Sequence, residues 1–126
     1  MSLRHFLRPV ALGVALAAPF SSASAQETTY DASRLVAIGG SVTEIVYALG
    51  EEDKLIARDS TSVFPPEALA LPDVGYMRAL SPEGVLAVNP SLIITLEGSG
   101  PPEAVEVLQK ASIPMVTIPE QFDREG

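Results

Sequence analysis

The sequence has 126 residues, no cysteine, and 16 Asp and Glu against 8 Lys and Arg, for a formal net charge of −8. This length suits one small domain, and without disulfides the fold must be held by an ordinary hydrophobic core. The acidic balance argues against nucleic acid, which is bound by neutralising phosphates with Lys and Arg.

The chain opens with the features of an export signal. Arg4, His5 and Arg8 form a positive start, Pro9 to Phe20 is almost entirely apolar, and Ala23-Ser24-Ala25 supplies a small-x-small cleavage site. The apolar run is about a dozen residues, well short of the roughly 20 that a spanning helix needs. Cleavage after Ala25 predicts a signal peptide over 1–25 and a mature periplasmic chain over 26–126. Removing 25 of the 126 residues leaves 101, and losing Arg4 and Arg8 takes the net charge from −8 to −10. His5, the only histidine, leaves with the signal. Zinc sites and His-based catalysis therefore lose their usual residue, and no Ser-His-Asp triad can be assembled within the chain.

In the mature part, continuous aliphatic runs at Leu35 to Ile38, Leu55 to Ala57, Leu92 to Leu96 and Met115 to Ile118 predict buried strands. Helical segments lie between them. Ser41 or Thr43 is placed to cap a helix through Glu44, Ile45, Val46, Ala48 and Leu49, with Gly50 closing it. Ser81-Pro82-Glu83 combines a cap, a first-turn proline and a first-turn carboxylate ahead of Val85, Leu86 and Val88. Pro101-Pro102-Glu103 opens a third segment whose Ala104, Val105, Val107, Leu108 and Ala111 fit a helical stripe.

Alternating strands and helices predict parallel β-α-β units with right-handed crossovers, hence an α/β sandwich. In such sheets ligands collect beyond the carboxyl ends of the strands. The loops at Gly39 to Thr43, Arg58 to Pro66, Gly75 to Ser81 and Glu97 to Pro102 are therefore the expected binding edge. The last stretch, from Ile118 to Gly126, has no helix to finish its unit, and the expectation is of one lobe of a larger protein.

Gly39-Gly40-Ser41 lacks both the Gly-x-Gly-x-x-Gly pattern and a Walker lysine, and reads as a tight strand-to-helix turn. Glu51-Glu52-Asp53 reads as a solvated turn rather than a metal site. The segment Gly75-Tyr76-Met77-Arg78-Ala79-Leu80-Ser81 is more specific, since it sets a tyrosine, a methionine and an arginine at the expected ligand edge. From residue chemistry alone, Tyr76 reads more readily as a partly buried tyrosine with a bonded hydroxyl.

Three stretches together carry a resemblance: Leu35 to Gly50 with its Gly40-Ser41-x-Thr43-Glu44, the Gly75-Tyr76-x-Arg78-x-Leu80-Ser81 pattern, and Val88-Asn89-Pro90-Ser91-Leu92-Ile93-Ile94. They resemble the periplasmic haem-binding proteins of bacterial haem ABC importers. The first and third are shared with the wider class that also carries cobalamin and iron siderophores; the Gly-Tyr-x-Arg-x-Leu-Ser pattern is narrower. The resemblance implies the N-terminal lobe of a two-lobed fold joined by a long helix, and a transport protein rather than an enzyme. It implies haem as the transported ligand, with an inner-membrane ABC permease, its ATPase and an upstream outer-membrane receptor system as partners.

The resemblance makes Tyr76 the axial ligand of haem iron and Arg78 its support. Ferric iron is a hard acid and a phenolate a hard anionic donor. A free phenol titrates near about 10, and a guanidinium beside it favours the charged form. In an extended loop Met77 points away from Tyr76, so it is expected against the porphyrin or in the core. Arg58, Thr61 and Ser62 on the neighbouring loop are candidates to reach the propionates, beside the more ordinary reading of solvent-exposed side chains. Glu83 is the candidate for docking on permease arginines, besides its favourable place in a helix first turn. The alternatives are a sibling importer protein for cobalamin or a siderophore, which needs no phenolate at Tyr76, and, more distantly, a secreted α/β enzyme.

Overall fold

The computed structural model describes residues 27–124. Residues 1–26, which hold the expected export signal and His5, and the last two residues lie outside the described range. Four strands, β1 (Leu35–Ile38), β2 (Leu55–Arg58), β3 (Leu92–Leu96) and β4 (Met115–Ile118), form one parallel sheet in the order β2-β1-β3-β4. Helix α1 (Gly40–Ala48) connects β1 to β2, α2 (Pro82–Ala87) precedes β3, and α3 (Pro102–Lys110) connects β3 to β4. The α/β class expected from the alternation is the class observed.

The chain leaves β1 in one direction to reach β2 and returns on its other side to β3. With right-handed crossovers, that reversal puts α1 on one face of the sheet and α2 and α3 on the other. The side chains confirm it by strict alternation along the strands. Val36, Ile38, Ala57 and Ile93 pack with Val85, Ala104 and Leu108 from α2 and α3, and with Val74, Met77 and Leu80 from the loop before α2. Leu35, Ala37, Leu55 and Leu92 pack with Val42 and Val46 of α1. Because both faces are covered, these strands read as unbroken apolar runs.

Registers place Ile38 opposite Thr95, and Leu96 opposite Ile118. Strands β1 and β3 thus run out side by side at the point where the strand order reverses, the place where open α/β sheets hold ligands. On the α1 side, where β4 is only half covered, Val42, Ile45, Leu49, Ile94 and Ile118 line an apolar groove.

The helix ends follow local chemistry, with one correction. Ser81 caps α2, its hydroxyl accepting the Gly84 amide at 3.4 Å, and Pro82 fills the first turn. Past α1, Gly50 has φ +71°, its amide bonds the Tyr47 carbonyl, and the Glu51 amide reaches back to Val46. This is the glycine-closed helix end expected from the sequence. Neither Ser41 nor Thr43 caps α1, however. The helix begins earlier, at Gly40, the Gly39 carbonyl accepting the Val42 and Thr43 amides at 3.1 and 3.2 Å. Gly39 has φ +112°, and a Cβ there would lie 2.8 Å from Leu96 Cβ, so only glycine allows β1 to turn this close beside β3. The Thr43 hydroxyl is instead buried against Ser62.

Candidate ligand-binding site

The carboxyl edge of the sheet is built around Asp59, which follows β2 directly and is fully buried. Its Oδ1 accepts the Gly39 amide at 3.0 Å and the Ser62 hydroxyl at 2.8 Å. Its Oδ2 accepts the Thr61 hydroxyl at 2.8 Å and the Thr61 amide at 3.2 Å. Four donors around one carboxylate satisfy it without a cation. They tie the turn after β1 to the loop after β2. The sequence reading missed Asp59, although Asp followed by hydroxyl residues two and three positions on marks a side-chain-stabilised turn.

The loop carrying Tyr76 is pinned on both sides. Toward β2, the Ser60 amide donates to the Gly75 carbonyl at 2.9 Å. Toward the loop after β3, the Gly100 amide donates to the Met77 carbonyl at 2.8 Å and the Leu80 amide to the Gly100 carbonyl at 2.9 Å. The Ala79 amide closes a turn on the Tyr76 carbonyl at 2.8 Å. Val74, Met77 and Leu80 point into the core, which leaves Tyr76 and Arg78 facing outward.

Tyr76 is 48% exposed. Neither its hydroxyl nor the Arg78 guanidinium forms a hydrogen bond or ion pair with another described residue, including each other. A half-exposed phenol with a free oxygen therefore stands on a pinned turn at the switch-point edge, accessible from outside the lobe. Val63 and Phe64, on the loop after β2, are also exposed, Phe64 by 60%. A flat apolar ligand lying along this edge would cover such side chains. The sequence reading did not single them out, because exposure of an apolar loop residue has no periodic signature.

Other expected contacts turn inward. Arg58 is only 8% exposed, and its guanidinium donates to the Ala68 carbonyl at 3.3 Å, the Asp59 carbonyl at 3.2 Å and Asp73 Oδ2 at 3.1 Å. Neither at hand for propionates nor solvent-exposed, it is spent inside the lobe, since β2 runs one residue further than Leu55 to Ala57 and carries Arg58 into the sheet. Ser62 is fully buried between Asp59 and Thr43. Met77 lies in the main core at 9% exposure, so of its two expected places the core is the one it takes. Thr61 is half-buried with its hydroxyl committed to Asp59.

Glu83 is exposed in the first turn of α2, with no ion-pair partner among the described residues. Glu51, Glu52 and Asp53 are exposed, Glu52–Lys54 forming a 3-10 turn that Glu51 precedes and Glu51 pairing with Lys54. Among the described residues no three His, Cys, Asp or Glu side chains gather as a metal site.

Residues 35–126 match the family model described as periplasmic binding protein. The chain is 35% identical over 81 residues to a vitamin B12-binding protein of Vibrio cholerae serotype O1, covering 64% of this chain and 29% of that one. Among solved structures, a periplasmic heme binding protein from Pseudomonas aeruginosa superposes with a TM-score of 0.70 at 43% identity, over 74% of this chain and 33% of that one. A heme-binding protein from Roseiflexus sp. RS-1 gives 0.66 at 40% identity, over 68% and 33%. A vitamin B12 binding protein of Vibrio cholerae gives 0.62 at 32%, over 68% and 33%. The chain thus spans about a third of the length of the proteins it matches, and it belongs to the periplasmic binding protein family, whose members are non-enzymatic components of transport.

Proposed function

We propose that residues 26–126 are the N-terminal lobe of a protein that binds haem in the periplasm and delivers it to an inner-membrane ABC permease. The observation that carries this reading is the free, half-exposed Tyr76 oxygen on a pinned turn at the switch-point edge, in a chain 43% identical to a heme binding protein. Tyr76 is the ligand of the ferric iron of the cargo, and Arg78, two residues on and without a partner among the described residues, stabilises the phenolate once it forms. Phe64 and Val63 supply apolar surface for the porphyrin face. Glu83 is the carboxylate through which this lobe docks on the permease and its ATPase. Haem reaches the periplasm from an outer-membrane receptor system upstream. In this reading an export signal over 1–25 directs the chain to that compartment, and a second lobe closes the cleft.

The test is a visible-absorption titration of the purified chain with ferric haem, beside Tyr76→Phe, which keeps the ring and removes the ligand oxygen. A saturable spectrum of phenolate-bound iron that is lost in the variant supports the reading. Identical spectra in the two proteins would overturn it.

A second reading, cobalamin transport, is favoured by the 35% identity to vitamin B12-binding proteins. It keeps the fold and the docking role of Glu83 but does not need a phenolate at Tyr76. Titration with cobalamin in place of haem separates the two.

A further inference from the structure

The side chain that holds the backbone just ahead of Tyr76 is the carboxylate of Asp73. Its Oδ1 accepts the Gly75 amide at 2.8 Å, and its Oδ2 accepts Arg58 Nη1 at 3.1 Å. Arg58 is an immobile partner, buried to 8% exposure and held by the Ala68 and Asp59 carbonyls. Main-chain bonds add to this, since the Arg58 amide donates to the Pro72 carbonyl at 3.0 Å and the Val74 amide to the Arg58 carbonyl at 2.9 Å. Asp73 therefore sits on a braced cation even though its own side chain is 42% exposed.

Gly75 is where this bracing acts on Tyr76. It has φ +108°, a conformation other residues rarely adopt, and both of its peptide groups are engaged, the amide by Asp73 and the carbonyl by Ser60. The plane of the Gly75–Tyr76 peptide sets the direction in which the Tyr76 side chain leaves the loop. A metal–oxygen bond is directional, so a ligand whose backbone is fixed in advance loses less freedom on binding.

We propose that Asp73, braced by Arg58, is a positioning residue that holds Tyr76 in the orientation for ligation. This rests on the reading of Tyr76 as the iron ligand. It also gives Arg58 a role at the site without any contact with the cargo.

The experiment is a ferric haem titration of Asp73→Ala, Asp73→Asn and Tyr76→Phe, together with the Asp73→Ala/Tyr76→Phe double variant. Asn keeps an oxygen for the Gly75 amide, whereas Ala keeps nothing. Asp73→Ala is expected to bind roughly fivefold to tenfold more weakly, the effect of one directional hydrogen bond, with a diminished iron–phenolate absorption. Asp73→Asn should recover most of both. In the Tyr76→Phe background, Asp73→Ala should change nothing further, because a residue that acts through Tyr76 has nothing left to position. If Asp73→Ala does not fold, Gly75→Ala perturbs the same peptide by disfavouring φ +108°, with no atom within 4 Å of the added Cβ. Wild-type affinity and absorption in the variant that folds would overturn the proposal. So would an equal loss with and without the Tyr76 oxygen, which marks a merely structural effect. If Tyr76→Phe alone titrates like the wild type, the ligand reading fails and takes the proposal with it; if only the Asp73 and Gly75 variants are silent, the ligand reading stands alone.

Discussion

Asp59 Oδ1 accepts the Gly39 amide at 3.0 Å, joining the residue just after β2 to the residue that turns β1 into α1. The bond spans 20 residues and lies wholly inside the lobe, yet both partners are at the carboxyl edge of the sheet. Loops in this class must hold a site without secondary structure of their own, and here a buried carboxylate supplies the rigidity that a strand ladder supplies elsewhere.

Asp59→Ala should therefore destabilise the lobe by roughly 3 kcal/mol, because the Gly39 amide and the Ser62 and Thr61 donors lose their acceptor in a dry setting. Urea unfolding followed by circular dichroism measures this directly. An unchanged midpoint would mean that water replaces the carboxylate and that the edge is not organised by it.

The glycines beside α1 should differ sharply in what they tolerate. Gly39→Ala combines φ +112° with a Cβ 2.8 Å from Leu96 Cβ, and should cost about 3 kcal/mol through strain and overpacking. Gly50→Ala faces only φ +71° in open space and should cost about 1 kcal/mol. Similar thermal midpoints for the two variants would contradict the close approach of β1 to β3.

Tyr76→Phe should leave stability within about 0.5 kcal/mol of the wild type, since the hydroxyl has no partner to lose. Its effect belongs to the ligand. A large drop in melting temperature without haem would reveal a structural role for the hydroxyl.

Arg78→Ala should likewise be neutral for folding and weaken ferric haem binding roughly tenfold, the scale of a charge-assisted hydrogen bond to the phenolate. Paired equilibrium titrations and denaturant melts measure both effects. Unchanged affinity would leave Arg78 as a solvated side chain with no part in ligation.

Glu83→Ala should leave haem affinity unaltered and reduce stability by only a few tenths of a kcal/mol, from the lost carboxylate in the first turn of α2. Its effect should appear in reconstituted transport, as weaker stimulation of the permease-linked ATPase. Normal stimulation would remove Glu83 from the docking surface.

The amino-acid sequence by itself determined the four strands, the helix closed by Gly50 and the helix opened by Ser81-Pro82. These depend on apolar runs and on capping chemistry within a few residues, so their physical cause is local. The Gly-Tyr-x-Arg-x-Leu-Ser pattern likewise marked the outward-facing pair, Tyr76 and Arg78. What only the tertiary structure decided is which neighbouring side chains remain available to a ligand. Arg58, Ser62 and Met77 have residue types suited to a cargo site, but Asp73, Asp59 and the main core claim them first. Those claims run through contacts far apart along the chain, such as Ser60 to Gly75 and Met77 to Gly100. No periodicity or local propensity encodes such pairings. They exist only once the parallel sheet has brought the ends of its strands to a common edge.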